Sequence, residues 1–179
     1  MLSHLSGRVI EVGCGDGVNF AHYPESVASV LAVEPDPDAR ALAERAAEHA
    51  PVEVAVVDGT AEALPAADDA FDAAVCCWVL CSVADPAGAL REVRRVLRAG
   101  GELRFYEHVR ARSPALALLQ RAVDATYWPR LLGGCRTTRD TETAIRAAGF
   151  TIERLEHLHH SSSVLTIPAA PHILGSARA

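Results

Sequence analysis

EVGCGDGVNF, residues 11–20, sets glycines at 13, 15 and 17 against the end of the apolar run RVIEVG, residues 8–13. A continuous apolar run that stops at glycine reads as a buried parallel strand. A glycine loop at the carboxyl end of such a strand is where an open α/β sheet brings backbone against a nucleotide. Outward from this loop, strand and helix signals alternate. SVLAVE (29–34) and VEVAVV (52–57) are the next strands. Between them lies a helix capped by Asp36, with Pro37 in its first turn, running to about His49. DGTAEALPAADDA (58–70) is a loop and FDAAVCCW (71–78) a fourth strand. Asp85 caps the following helix, which has Pro86 in its first turn and Gly100-Gly101 at its end. ELRFYEHV (102–109) is the fifth strand. Residues 113–132 read as an interrupted helix and 137–150 as a capped one, with 151–158 and 164–179 as a closing strand pair. The prediction is a single domain over residues 1–179, a doubly wound, Rossmann-like α/β sheet with helices on both faces.

Composition narrows the function classes. A chain of 179 residues, half of them apolar, has a sizeable core for one domain. The net charge of −6 argues against a nucleic-acid partner, which calls for a basic stripe. Arginines 91, 94, 95 and 98 resemble such a stripe, but Leu90, Val93 and Leu97 recur between them at helical spacing, which makes them the solvated face of a helix. The five cysteines are odd in number and none form a CxxC pair, so a reducing cytoplasm fits better than a disulfide framework. No run approaches the ~20 apolar residues of a spanning helix, and the start MLSHLSGR has no signal-peptide pattern, so no membrane association is expected.

The loop itself discriminates among nucleotides. A dinucleotide fingerprint, GxGxxG, needs a third glycine at position 18, where this chain has valine. The phosphate loop GxxxxGK[ST] is also absent. GxGxG after an acid, Glu11, fits S-adenosylmethionine instead. Gly13 and Gly15 admit the ligand close to the backbone, and amides opening the next helix can meet its carboxylate. A second acid belongs at the end of the second strand to accept from both ribose hydroxyls. Glu34 stands there, followed by Pro35, and a third acidic turn follows at 58–62.

VIEVGCGDG, LAVEPD, GTAEALP, FDAAVCCWVLCSV and EVRRVLRAGGELRF resemble the class I S-adenosylmethionine-dependent methyltransferases of the ubiquinone-biosynthesis-like group. VLCSV (79–83), Glu107-His108, Gly134-Cys135 with Thr138-Arg139, and Pro171–Gly175 resemble more closely the methyltransferase-like thiol methyltransferases. The resemblance runs over about residues 8–179 and implies a seven-stranded sheet in the order 3-2-1-4-5-7-6. It implies that Glu11 shapes the loop, that Gly13, Gly15 and Asp16 line the methionine moiety, and that Glu34 holds the ribose. Pro35 would lie against adenine, Thr60 and Ala61 at its edge, and Cys76 would offer backbone to the amino group. The implied acceptor is a small molecule, with a thiol favoured. The alternatives are carbon, oxygen or nitrogen methylation of a quinone-precursor-like metabolite, or a non-catalytic cofactor-binding module. Only seven residues precede the first strand, where the family carries a lid helix. That implies an open cofactor site, cover from the second subunit of a homodimer, or a start downstream of the natural one.

For chemistry, His108 is the candidate base, with Glu107 or a neighbouring carboxylate setting its tautomer. Adjacent strand residues point to opposite faces, so both serve one site only if the strand has ended by then. Cys81 and Ser82 either face the acceptor or are small buried residues at a helix start. Cys135 is either a pocket thiol or simply buried. Trp78, Tyr127 and Trp128 either wall a pocket or belong to the core. HLHH (157–160) invites a metal reading, but no cysteine or carboxylate set has matching spacing, so no metal is expected and the segment is read as a loop over the acceptor.

Overall fold

The computed structural model describes residues 1–160 and 164–179. Among them, the strands are β1 (Gly7–Val12), β2 (Val27–Val33), β3 (Val54–Val57), β4 (Phe71–Cys77), β5 (Leu97–His108), β6 (Thr151–His159) and β7 (Pro171–Arg178). They form one sheet in the order β3-β2-β1-β4-β5-β7-β6, as expected. β1 to β5 pair in parallel, and β7 lies antiparallel between β5 and β6. The α-helices are α1 (Pro37–Ala47), α2 (Pro86–Val96), α3 (Pro114–Asp124), α4 (Trp128–Leu131) and α5 (Thr141–Ala147).

The central strands read as unbroken apolar runs because both of their faces are covered. Val9 of β1 and Ala73 and Val75 of β4 pack with Leu5, Phe20, Tyr23 and Ala43 of α1 on one side. Their neighbours Ile10, Val12, Ala74 and Cys76 pack with Leu90 and Val93 of α2 and Ile145 of α5 on the other. The period-two alternation of a strand thus feeds two cores with one sequence.

The structure corrects several local expectations. α2 ends at Val96 and β5 begins at Leu97, so Gly100-Gly101 lies inside the strand rather than closing the helix. Leu97 is extended and pairs with Phe71, and this pairing takes over from the helix. Asp36 caps α1 through bonds from the Asp38 and Ala39 amides, but Asp85 makes no such bond to α2 and faces Arg91 at 3.6 Å. Residues Val164–Ala169 form a 3-10 helix containing Pro168 where a strand was expected, and the strand starts only at Pro171. Proline has no N–H for a sheet ladder.

The arginine-rich face of α2 is engaged by the chain itself. Arg95 binds Glu92, Asp68 and two carbonyls, Arg94 binds the Gly149 carbonyl, and Arg98, just beyond the helix, binds Asp72. No helix among the described residues is long and apolar enough to cross a membrane.

Candidate active site

A cleft of about 400 Å³ opens beyond the carboxyl ends of β1, β2, β3 and β4. Gly13, Glu34, Pro35, Thr60 and Ala61 line it, brought together from three separate loops. Gly13 has φ +64°, and a Cβ there would lie 2.7 Å from Val79 Cγ2, so glycine is required on two counts. Gly15, at φ +57°, donates its N–H to Glu34 Oε2 at 2.9 Å, while Glu34 Oε1 accepts from the Asp36 N–H at 3.0 Å. Each carboxylate oxygen has two lone pairs. The two amides therefore fix Glu34 and leave one acceptor position per oxygen, which is what a vicinal diol requires. A concave site with one oriented acid and apolar walls fits S-adenosylmethionine.

Glu11 is buried behind this loop and does not line the cleft. Its carboxylate accepts from Asn19 Nδ2 and Tyr23 Oη, each at 2.7 Å, and so braces the glycine loop from below. Burial pushes the Glu11 carboxyl from 4.5 up to about 7, against the pull of its two donors. A raised acid supports the fold in its protonated form. That contribution is full below about pH 4.5 and is lost as pH rises through about 7. The difference across the window is roughly 3 kcal/mol. Glu11→Gln is neutral at every pH. Its stability in urea is expected to stay level between about pH 5 and pH 8 relative to the parent, whose stability falls. Parallel profiles for the two proteins would rule out this linkage.

A second cavity, about 540 Å³, adjoins the first and shares Trp78, Ser82 and Leu132 with it. Cys81, His108, Trp128, Cys135, His160 and His172 complete most of its lining. Trp78 stands at the boundary with φ +58°, a strained conformation for a bulky residue, and its ring stacks on His108 with centroids 5.8 Å apart. His172 lies beside His108 at 4.5 Å between centroids. Its Nδ1 contacts the Ala170 carbonyl at 2.8 Å; a carbonyl only accepts, so the proton belongs on Nδ1. Burial holds His172 below the usual histidine range. The Cys81 and Cys135 thiols contact each other, with their sulfurs 3.8 Å apart. The contact with Cys135, together with burial, holds Cys81 up at about 12, and the contact with Cys81 draws Cys135 down.

Residues 10–105 match the family described as a methyltransferase domain, which is more than half of the chain. The chain is a methyltransferase of that family. It is 37% identical over 174 residues to thiol S-methyltransferase TMT1B of Rattus norvegicus, covering 94% of this chain and 69% of that one. It is also 37% identical over 179 residues to thiol S-methyltransferase TMT1A of Homo sapiens, covering 96% of this chain and 71% of the other. An S-adenosylmethionine-dependent methyltransferase from Mesorhizobium loti shares the fold with a TM-score of 0.74 at 23% identity, over 99% of this chain and 94% of that one. The enzyme is thus an S-adenosylmethionine-dependent methyltransferase.

Not every expected residue lines the two cavities. Asp16 is exposed on the loop outside the cleft's lining, and Cys76 is buried within β4, paired with Val12 and Phe105. Glu107 cannot set the His108 tautomer. β5 continues through His108, so the two side chains lie on opposite faces. The Glu107 carboxylate is instead fully buried and accepts the amides of Val79, Leu80 and Cys81, each at 3.0 Å. It holds the turn that carries Cys81. Trp78 and Trp128 wall the second cavity, whereas Tyr127 is half exposed and outside it. Of the HLHH segment, His160 lines the cavity, while His157 contacts Arg112 at 2.8 Å. Sequence reasoning missed Leu132 and assigned no role to His172; only the fold brings them to the wall.

Proposed function

We propose that this methyltransferase acts on a small thiol, held in the cavity that adjoins the cofactor cleft. The observation that carries the reading is that cavity: about 540 Å³, walled by Trp78, Trp128 and Leu132, and sharing its boundary with the cleft. The relatives named thiol S-methyltransferases support it. S-adenosylmethionine supplies, when bound, a methyl group already activated on a sulfonium. The chain's own task is then to position the acceptor, exclude water and keep the acceptor deprotonated. Glu34 orients the cofactor through the ribose hydroxyls, with Gly13 admitting it to the loop. The tryptophans provide apolar walls that strip water from an attacking sulfur. A free thiol has a pKa of about 8.5, so a modest local effect supplies the thiolate. A cytoplasmic location belongs to the same reading and is supported by an odd set of cysteines with no paired framework.

The test is the transfer of labelled methyl to a panel of alkyl thiols, phenols and amines at equal concentration. Alkyl thiols are expected to be methylated at least about ten times faster than the other classes. Faster methylation of phenols or amines would sink the thiol assignment. Cofactor binding with no turnover on any acceptor would point to a binding module instead.

A further inference from the structure

Three side chains on one wall of the acceptor cavity come from positions far apart in sequence. Cys81 lies on the turn after β4, His108 at the end of β5 and Cys135 on the loop after α4. Their sulfurs are 3.8 Å apart, and His108 Nδ1 is 3.5 Å from each. All three ligand atoms lie within 4.8 Å of one another. In a tetrahedral zinc site with bonds of about 2.3 Å to sulfur and about 2.05 Å to nitrogen, sulfur–sulfur separations are roughly 3.8 Å and sulfur–nitrogen separations roughly 3.5 Å. This spacing is that of a ligand set around a central ion.

Each ligand is held by contacts that owe nothing to a metal. Glu107 binds the amides of residues 79–81 and so fixes Cys81. The Arg136 N–H bonds the Cys81 carbonyl at 2.8 Å, tying the Cys135 loop directly to it. Gly134, at φ +86°, allows this approach, since a Cβ there would lie 2.7 Å from the Ser82 carbonyl. The Asp124 carboxylate then anchors the segment by accepting from the amides and hydroxyls of both Thr137 and Thr138. On the far side, the His108 ring is stacked on Trp78.

We propose that Cys81, His108 and Cys135 bind one zinc-class divalent cation whose fourth position faces the cavity and takes the acceptor thiol. Two thiolates and an imidazole select a soft or borderline cation. Three protein ligands with one open position are the pattern of a catalytic rather than a structural site. Metal binding displaces the protons of both cysteines. Coordination of the acceptor releases its thiol proton to solvent, leaving a metal-held thiolate. In the transfer step a new carbon–sulfur bond forms to that thiolate. The sulfonium's carbon–sulfur bond breaks with its electron pair going to the departing thioether, and nothing is oxidised or reduced. His108 is then a ligand, not a free base. The proposal rests on the thiol reading above for the identity of the fourth ligand, but the three-residue site does not.

The test uses the whole chain, stripped with a chelator, reduced with a phosphine and desalted, then titrated with Co²⁺. The expected result is one cobalt per chain, with thiolate-to-cobalt charge transfer and tetrahedral d–d bands, both displaced by Zn²⁺. Cys81→Ser and Cys135→Ser should each lower the charge-transfer intensity by about half, as one of two thiolates is lost, while Cys77→Ser leaves it unchanged. Circular dichroism checks that the variants fold, and the zinc displacement needs no variant. Adding a small alkyl thiol should raise the intensity by about half again as a third thiolate binds. Absent bands, or bands indifferent to both substitutions, overturn the site. Bands that ignore added thiol overturn the open coordination position. Undiminished thiol methylation by protein verified as metal-free overturns the metal's role and leaves the thiol reading intact. Metal binding with no thiol methylation overturns the thiol reading, and the fourth-ligand assignment with it, and leaves the three-residue site standing.

Discussion

Glu34→Ala is expected to weaken S-adenosylmethionine binding by about 100- to 1000-fold while leaving the protein folded. The carboxylate is already oriented by the Gly15 and Asp36 amides, one on each oxygen, before any ligand arrives. Its remaining lone pairs are aimed by those bonds, so the ribose hydroxyls meet a charged acceptor that needs no reordering. Hydrogen bonds to a charged group contribute about 1.5–3 kcal/mol each. Losing two removes roughly 3–4 kcal/mol, which sets the expected factor. Glu34→Gln keeps one acceptor oxygen and is expected to lose about 10-fold. Calorimetric titration with S-adenosylmethionine and with its demethylated product measures both variants. A folded Glu34→Ala protein with unchanged affinity would remove Glu34 from the cofactor site.

Glu107→Gln is expected to act on the other half of the enzyme. The carboxylate accepts three amides in a fully buried place. Glutamine retains one acceptor oxygen but turns an NH₂ toward a backbone donor, so at least one buried N–H loses its partner. That costs roughly 2–4 kcal/mol, or about 5–15 °C in melting temperature for a chain of this size. The loosened turn carries Cys81 into the acceptor cavity. Cofactor affinity should therefore change by no more than about three-fold, while kcat for a thiol acceptor falls by at least about ten-fold. This split separates positioning from general destabilisation. If cofactor affinity falls in step with turnover, Glu107 merely supports the fold.

The two halves of the site differ in how far they can be read from sequence. The cofactor cleft is legible because its demands are local. Gly13 must adopt a positive φ within a few residues of a strand end, and Glu34 must follow directly on the next strand. Pro35, Thr60 and Ala61 come from the neighbouring strand ends, which the alternation of elements already brings to one edge of the sheet. Which residue of a strand end faces a cleft depends on register and loop path: Asp16 is exposed on the glycine loop, and the Cys76 side chain is buried within β4. Asp85 stands at the N-cap of α2 with Pro86 after it, but whether an N-cap side chain bonds its helix depends on the residues around it, and here it faces Arg91.

The acceptor side carries no such local mark. His108 lies 27 residues from Cys81 and 27 from Cys135, a spacing that belongs to no ligand motif. Their convergence depends on β5 lying beside β4 and on the Asp124 anchor folding the Cys135 loop back onto Cys81. The fate of Glu107 shows the same limit. Strand alternation says that it and His108 face opposite ways while β5 continues, but only the tertiary structure shows that β5 reaches His108 and that Glu107 finds three amides on the far side. The sequence by itself determined the sheet, the glycine loop and the acid at the end of the second strand, because backbone conformation and two- or 3.6-residue periodicity are properties of neighbours in the chain. Tertiary structure alone decided the second cavity and the Cys81–His108–Cys135 cluster, because contacts between distant residues are set by strand order, register and buried hydrogen bonds.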